Sequence, residues 1–128
     1  MAHSLHHIHL RGDDPVKSAQ WYVDVFDAKY LGERLVRGAP SASVQFGPAT
    51  ITISGRRPLE ALWLGNANAH YGLDHFALST DDLERDLKRM EGRAGRVIER
   101  LEVPAAKIAF IEAPDQVRIE LMQMNPTS

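Results

Sequence analysis

The stretch His7-Ile-His-Leu-Arg-Gly-Asp-Asp14 has a close counterpart later in the chain, at His75-Phe-Ala-Leu-Ser-Thr-Asp-Asp82. The two stretches lie 75 − 7 = 68 residues apart, and the same offset relates Ile51-Thr-Ile53 to Ile119-Glu-Leu121. An internal repeat determines the architecture, because each copy is one supersecondary unit. The sequence therefore predicts two copies of one module.

Each copy shows the same order of predicted elements, which is βαβββ. Alternating apolar residues predict first strands over residues 5–11 and 73–79. Asp14-Pro15 and Thr80-Asp81-Asp82 are typical helix starts. Helical spacing predicts buried stripes at Val16, Ala19, Val23 and Phe26 and at Leu83, Leu87 and Met90. Short runs rich in apolar or β-branched residues predict the other strands, near residues 29–36, 41–46, 50–54, 97–102, 107–112 and 117–122.

A stretch without periodicity separates the two modules. We place module 1 at about residues 4–55, the linker at about 56–71 and module 2 at about 72–124. The apolar centre of the linker, Leu62-Trp63-Leu64, is predicted to pack on the core, and the alternative is a lid or a contact between subunits.

Composition excludes several classes of protein. The chain of 128 residues has a formal charge of −2, and its pI near 6.3 gives no general attraction to nucleic acid or to an anionic membrane. It contains no cysteine, so disulfides and thiolate metal sites are excluded. No apolar run approaches the roughly 20 residues of a spanning helix, and no secretory signal is visible. We expect a cytoplasmic protein.

The repeated positions suggest a metal site. Strand alternation places His7 and His75 on the face opposite the helices, and Glu120 falls on the same side of its own strand. A carboxylate inside a sheet is costly unless it is paired or bound to a metal. Two imidazoles and one carboxylate form a facial triad that suits one divalent ion of Fe, Mn, Ni, Co or Zn.

These residues resemble the vicinal oxygen chelate superfamily, which holds glyoxalase I, fosfomycin-resistance enzymes, extradiol dioxygenases and bleomycin-resistance proteins. The matching segments span nearly the whole chain; they are His7-Ile-His-Leu-Arg11, Trp21-Tyr22, His75-Phe-Ala-Leu-Ser79, Ile108-Ala-Phe-Ile-Glu-Ala-Pro-Asp115 and Arg118-Ile-Glu-Leu121. The resemblance implies an α+β fold in which residues 1–128 form a single domain. Its two βαβββ modules would make an incompletely closed eight-stranded barrel.

The resemblance also implies a homodimer and one divalent metal per site, with ligands at His7, His75 and Glu120. Whether one chain or two supply the ligands of a site stays open. Thr52 stands where glyoxalase I has a second glutamate, and threonine cannot serve as a base, which weakens a glyoxalase assignment. Arg11 matches a glutathione-contacting arginine of bacterial glyoxalases. Arg11 and Thr52 are therefore the predicted substrate-binding residues.

Three roles are open to His9, which stands two residues from a predicted ligand. Fosfomycin-modifying relatives have a threonine at this position, beside the substrate. A histidine there is a candidate general base or substrate contact, since its pKa lies in the useful range. The alternatives are a partner that orients a ligand and a residue that fills space. We name His9 as the candidate catalytic residue.

Two classes of function follow. The first is a metal-dependent enzyme for a small molecule with two adjacent oxygens, acting as a lyase or isomerase, an extradiol-type dioxygenase or a fosfomycin-type transferase. The second is a dimer that sequesters a bleomycin-type antibiotic without catalysis, with Trp63, Trp21 and Tyr71 as candidate stacking residues. The three retained ligand positions favour the enzyme. No nucleic-acid or membrane partner is predicted.

Overall fold

A computed structural model describes residues 2–126 of the chain. Its elements follow the predicted order and are β1 (Ile8–Arg11), α1 (Pro15–Phe26), β2 (Lys29–Val36), β3 (Ala39–Phe46), β4 (Ala49–Ser54), β5 (Phe76–Ser79), α2 (Leu83–Met90), β6 (Arg96–Val103), β7 (Ala106–Ala113) and β8 (Val117–Met124). A short 3₁₀ turn, Pro114–Gln116, joins the last two strands. The duplicated βαβββ pattern is therefore confirmed.

The strands form two four-stranded sheets with the same topology. The strand order is β1-β4-β3-β2 in the first sheet and β5-β8-β7-β6 in the second. In each sheet the outer strand before the helix runs parallel to its neighbour, and the other pairs are antiparallel. Each parallel pair is joined through a helix and two antiparallel strands, because parallel neighbours need a long connection. Helices combined with mainly antiparallel sheets are the α+β class that the sequence predicts.

The repeat extends to the strand registers. Ile8 pairs with Ile51, and Phe76 pairs with Ile119, which preserves the 68-residue offset in both partners. For the second and third strands, the offset between the two copies is 67 residues, so that β2 corresponds to β6 and β3 to β7. An irregularity in register at Tyr30/Gly32 recurs at Val97/Glu99, with the same 67-residue offset. Equivalent positions in the two copies can therefore be compared residue by residue.

The first strand of each module is shorter than predicted. β1 begins at Ile8 and β5 at Phe76, because the pairing with the parallel neighbour starts at these residues. His7 and His75 therefore immediately precede their strands. Each histidine occupies the same place in its own module.

The predicted stripe of α1 is shifted in phase: Ala19 is buried as predicted, whereas Val23 and Phe26 are only half-buried. Val16 is 41% exposed, and the buried residues are Pro15, Ser18, Ala19, Trp21, Tyr22 and Val25. The proline at the first helical position and the Asp14 cap are confirmed, with the Asp14 carboxylate accepting from the backbone amide of Lys17. Burial favours the face with the larger aromatic area, which carries Trp21 and Tyr22.

Helix α2 contains a buried carboxylate, Asp86, outside its predicted apolar stripe. Asp86 is 3% exposed and accepts a 2.5 Å hydrogen bond from the hydroxyl of Thr80. Arg85 approaches the other carboxylate oxygen at 3.3 Å. Leu83 and Met90 are buried as predicted, whereas Leu87 is only half-buried. A hydrogen-bonded carboxylate is tolerated in such a position because both of its oxygens have partners.

The apolar centre of the linker does not pack on the core of the chain, so that prediction is wrong. Trp63 is 93% exposed and Leu64 is 92% exposed. Leu59, Tyr71 and Leu73 are also exposed. None of these residues lies in a helix or strand that would hold its side chain against a sheet.

The chain divides into two compact units, one up to Trp63 and one from Leu64 onward. The first contains β1 to β4 with α1, and the second contains β5 to β8 with α2. The assignment of residues 1–128 to a single domain stays a prediction. Among residues 2–126, no helix has both the length and the apolar character needed to cross a membrane.

Candidate functional site

The second unit brings two of the three predicted metal ligands together. The Nε2 atom of His75 lies 3.0 Å from Oε1 of Glu120, although 45 residues separate them in sequence. Glu120 lies on β8, where its register partner is Ala77 of β5, and His75 directly precedes β5. Both side chains are partly buried, with 27% and 16% of their surfaces exposed. The pairing of β5 with β8 therefore positions both residues.

The other ring nitrogen of His75 is held by its neighbour. Nδ1 of His75 lies 2.6 Å from a carboxylate oxygen of Asp74. The hydrogen bond with His75 lowers the pKa of Asp74, and the positive charge of Arg118 acts in the same direction. Nε of Arg118 lies 3.7 Å from this carboxylate. A carboxylate on the far nitrogen fixes the orientation of a histidine ring and leaves Nε2 directed at the site.

An aromatic ring packs beside these polar groups. The Phe110 ring meets the His75 ring edge-on, with centroids 5.2 Å apart. The guanidinium of Arg118 lies over the same phenyl ring at 4.5 Å and also donates to the carbonyl oxygen of Ala67. These contacts hold the His75 imidazole and the Arg118 guanidinium at fixed positions around one ring.

In the first unit, His7 takes the place that His75 has in the second. His7 is exposed, and its Nδ1 atom lies 2.9 Å from Nδ1 of His6. The residue before each histidine therefore contacts its Nδ1 atom, His6 in one unit and Asp74 in the other. The first unit has no carboxylate at the position of Glu120, since Thr52 stands there.

The imidazole of His9, the candidate catalytic residue, lies at the end of a row of two hydroxyl groups. Its Nε2 atom lies 2.7 Å from the Ser54 hydroxyl, which lies 2.7 Å from the Ser41 hydroxyl. Burial is the largest cause that lowers the pKa of His9, and the neighbouring His7, Arg11 and Arg34 act in the same direction. The neutral imidazole is therefore the favoured form of His9.

Thr52 lies in the same sheet and is 4% exposed. Its hydroxyl lies 3.1 Å from that of Ser43, its register partner on β3. His9 is its register partner on β1. Thr52 therefore lies between β1 and β3 as a hydrogen-bonding hydroxyl.

Arg11 is held by an acidic residue that sequence analysis did not single out. Its guanidinium forms an ion pair with Glu60 and donates to the carbonyl oxygen of Gly55 at 2.9 Å. Arg57 binds the same carboxylate at 2.6 Å and 3.0 Å. The hydrogen bonds from Arg11 and then Arg57 are the largest causes that lower the pKa of Glu60, to about 2. Glu60 is therefore ionised at neutral pH.

A cavity of about 140 Å³ opens beside these residues in the first unit. Its polar lining consists of His9, Arg11, Arg37, Ser54 and Arg57. The sequence signal that was missed is the pair Arg57 and Glu60, which lie three residues apart. Their side chains meet because the backbone turns between them, with the amide of Glu60 donating to the carbonyl of Arg57.

The predicted site residues thus fall into two groups. His75 and Glu120 meet in the second unit, and His9, Arg11 and Thr52 lie in the first unit, as His7 does. Between residues 2 and 126, no three His, Asp or Glu side chains were found clustered as a metal-binding group. The residues that sequence analysis missed are Arg37, Arg57, Glu60, Asp74, Phe110 and Arg118. For Asp74, its place directly before a repeated histidine was the available signal.

Comparisons with known proteins agree on one family. Residues 4–121 match the model described as glyoxalase/bleomycin resistance protein/dioxygenase superfamily. A lactoylglutathione lyase of Arabidopsis thaliana is 26% identical over 130 aligned residues, and a putative lactoylglutathione lyase of Brassica oleracea is 27% identical. Each alignment covers 94% of this chain and 44% of the relative, so the chain spans less than half the length of these curated relatives.

Solved structures show the same fold at low sequence identity. A glyoxalase family protein from Bacillus cereus has a TM-score of 0.83 at 11% identity, covering 98% of this chain and 99% of that one. A domain from Frankia sp. EAN1pec, described by the same three family names, has a TM-score of 0.81 at 20% identity, with coverage of 100% and 96%. A fosfomycin resistance protein variant from Listeria monocytogenes, complexed with Mn(II) and a dihydroxypropylphosphonic acid, has a TM-score of 0.74 at 15% identity, with coverage of 98% and 95%.

Proposed function

Because this chain belongs to the glyoxalase/bleomycin resistance protein/dioxygenase superfamily, we propose that it is a divalent-metal-dependent enzyme. The proposed ligands are His7, His75 and Glu120, and the substrate is a small molecule with two adjacent oxygens. The observation that supports the proposal most directly is the 3.0 Å approach of His75 Nε2 to Glu120 Oε1.

The donor atoms fit a divalent ion. Ligand atoms at adjacent corners of a coordination sphere, each about 2.1 Å from the ion, lie roughly 3 Å apart. The His75–Glu120 separation matches this value. Asp74 engages the far nitrogen of His75, which is the arrangement that orients a ligating imidazole. An imidazole–carboxylate set suits Fe, Mn, Ni, Co or Zn.

When bound, such an ion would polarise two substrate oxygens and stabilise the negative charge that develops on them. Glu120 and His75 would hold the ion, and Asp74 would keep the His75 ring in place. His9 is the proposed group for proton transfer or substrate contact, since it lines the cavity of the first unit together with Arg11. Thr52 is proposed to contact the substrate through its hydroxyl.

Thr52 argues against the reaction named for the curated relatives. Lactoylglutathione formation moves a proton between adjacent carbons and requires a base. The Thr52 hydroxyl is not a base, and it is hydrogen-bonded to another hydroxyl, that of Ser43. We therefore favour an addition or ring-opening reaction, in which the three proposed ligands leave coordination positions for the substrate; an isomerisation would need His9 as its base.

We further propose that the protein acts as a homodimer. The apolar side chains of Leu59, Trp63, Leu64 and Tyr71 are each more than nine-tenths exposed in the single chain. Exposed apolar surface of this kind marks contacts with other proteins or with ligands. A second copy of the chain is the proposed partner for these side chains.

The proposal is tested by metal analysis of protein purified without added metal. We expect about one divalent ion per chain, with loss of the ion in His75→Ala and in Glu120→Gln. Glu91→Gln is the matched control for Glu120→Gln, since Glu91 is exposed, lies at the C-terminal end of α2 and is not among the proposed ligands. Wild-type protein that cannot be loaded with any divalent ion would contradict the proposal, and ligand binding by such a protein would support sequestration instead.

A further inference from the structure

The cavity of the first unit carries an excess of positive charge. Three arginine side chains line it, those of Arg11, Arg37 and Arg57, together with the imidazole of His9. No carboxylate is part of the lining. A guanidinium is permanently charged and presents a planar fork of N–H donors that matches carboxylate, phosphate and phosphonate groups.

Glu60 stands outside the lining and fixes two of these arginines. Its carboxylate accepts from Nε and Nη2 of Arg57 and from both terminal nitrogens of Arg11. It also accepts from the backbone amide of Arg57 at 3.0 Å. These contacts restrict both guanidinium groups, so less conformational entropy is lost when a ligand binds them.

Arg37 is the member of the group without such a partner. In the described part of the chain, its guanidinium makes no hydrogen bond or ion pair. It lies at the β2–β3 turn with a backbone φ of 51°. The neighbouring Gly38 approaches Pro58, since a Cβ at Gly38 would lie 3.2 Å from Pro58 Cδ. The turn is thereby held against the segment that carries Arg57 and Glu60.

The second unit shows that the fold does not require this charge. The 68- and 67-residue offsets place Ala77, Ser79, Pro104 and Met122 at the positions equivalent to His9, Arg11, Arg37 and Ser54. The apolar lining residues Val36 and Ala39 have the counterparts Val103 and Ala106, which are identical. The repeat thus retains the apolar lining residues, whereas none of the counterparts of His9, Arg11 and Arg37 carries a positive charge.

We propose that this cavity binds an oxyanionic group of the substrate, a carboxylate, phosphate or phosphonate, through Arg37, Arg57 and Arg11, with Glu60 as the residue that positions the last two. That this oxyanionic group belongs to the substrate rests on the proposed function, whereas the binding of an anion by the cavity does not depend on it. The net charge of the three arginines and Glu60 is +2, which favours a dianion over a monoanion. The cavity volume of about 140 Å³ exceeds that of several water molecules and admits such a group.

The test is calorimetric titration with inorganic phosphate, at constant ionic strength and on protein freed of metal by a chelator. Metal-free protein is used because phosphate would otherwise bind a metal ion directly. We expect saturable binding, weaker binding of acetate, and none of neutral acetamide. Arg37→Gln should weaken phosphate binding about tenfold or more, the usual effect of losing a charge-assisted contact.

Two further variants make the test specific. Arg56→Gln is the matched control, because Arg56 is exposed, adjacent to Arg57 and absent from the lining. It should leave phosphate binding unchanged. Glu60→Gln removes a negative charge, so a purely Coulombic effect would tighten phosphate binding. If Glu60 positions Arg11 and Arg57, Glu60→Gln should instead weaken it several-fold.

The proposal is overturned if phosphate does not bind or if Arg37→Gln binds it as wild type does. An equal loss in Arg56→Gln would show binding to surface charge and would also overturn it. Tighter binding in Glu60→Gln would contradict the positioning role. Metal loading through His75 and Glu120 is measured separately, so failure of either proposal is recognised without the other.

Discussion

The carboxylate of Asp74 holds Nδ1 of His75 at 2.6 Å, on the side of the ring opposite Glu120. His75 therefore stands between two carboxylates, one on each ring nitrogen. Only Glu120 was expected from the sequence. The arrangement leads to a prediction about Asp74 that is independent of the identity of the substrate.

Asp74→Asn should lower the affinity for a divalent ion by about 10- to 100-fold, the usual effect of removing the carboxylate behind a ligating histidine. The reason is that the amide orients the ring less firmly and does not raise its basicity. Affinity is measured by competition with a chromophoric chelator. Asp13→Asn is the control, since Asp13 is exposed and lies before α1. Equal affinities in wild type and Asp74→Asn would exclude this role.

The buried carboxylate of Asp86 should contribute substantially to stability. Asp86→Ala leaves the Thr80 hydroxyl without its 2.5 Å partner and removes an acceptor of Arg85. We expect the free energy of unfolding in urea to fall by about 1–3 kcal/mol. Glu84→Ala, in the same helical turn but exposed and paired with Arg100, should change it by less than about 1 kcal/mol. A similar loss in both variants would show that helix charge, and not the buried contact, is responsible.

The turn at Gly38 requires glycine for two reasons. Its φ is +81°, and an added Cβ would lie 3.2 Å from Pro58 Cδ. Gly47 also has a positive φ, +52°, but an added Cβ there meets nothing within 4 Å. Both alanine variants should lose about 1 kcal/mol through backbone strain, and Gly38→Ala should lose more because of the contact. Thermal unfolding measures the difference, and a Gly47→Ala loss as large as that of Gly38→Ala would contradict the role of Pro58.

Glu60 should make stability depend on pH in the acid range. Its pKa in the folded protein is lowered from 4.5 to about 2, first by hydrogen bonds from Arg11 and then by those from Arg57. A lowered folded pKa means that the contribution is complete above the unfolded value of 4.5 and is lost as the pH falls towards 2. Wild-type stability in urea should therefore decrease over this window more than that of Glu60→Gln. Parallel curves for the two proteins would refute the assignment.

The repeat predicted the order of elements and the positions equivalent to the histidines correctly, since strand and helix periodicity are local properties of a sequence. The phase of α1 was wrong because several apolar residues lie around that helix, and only packing selects Trp21 and Tyr22 over Val16. The burial of Asp86 was not predicted, because a pattern of charges does not show that a hydroxyl such as that of Thr80 approaches from the end of the preceding strand.

By itself, the sequence determined the duplicated βαβββ architecture, the helix caps and the equivalence of His7 with His75. These features depend on residue spacing along the chain. The tertiary structure decided which groups meet: Glu120 with His75 across 45 residues, and Glu60 with Arg11 across 49. Such contacts depend on the register of parallel strands and on the path of a loop, and neither follows from a local pattern.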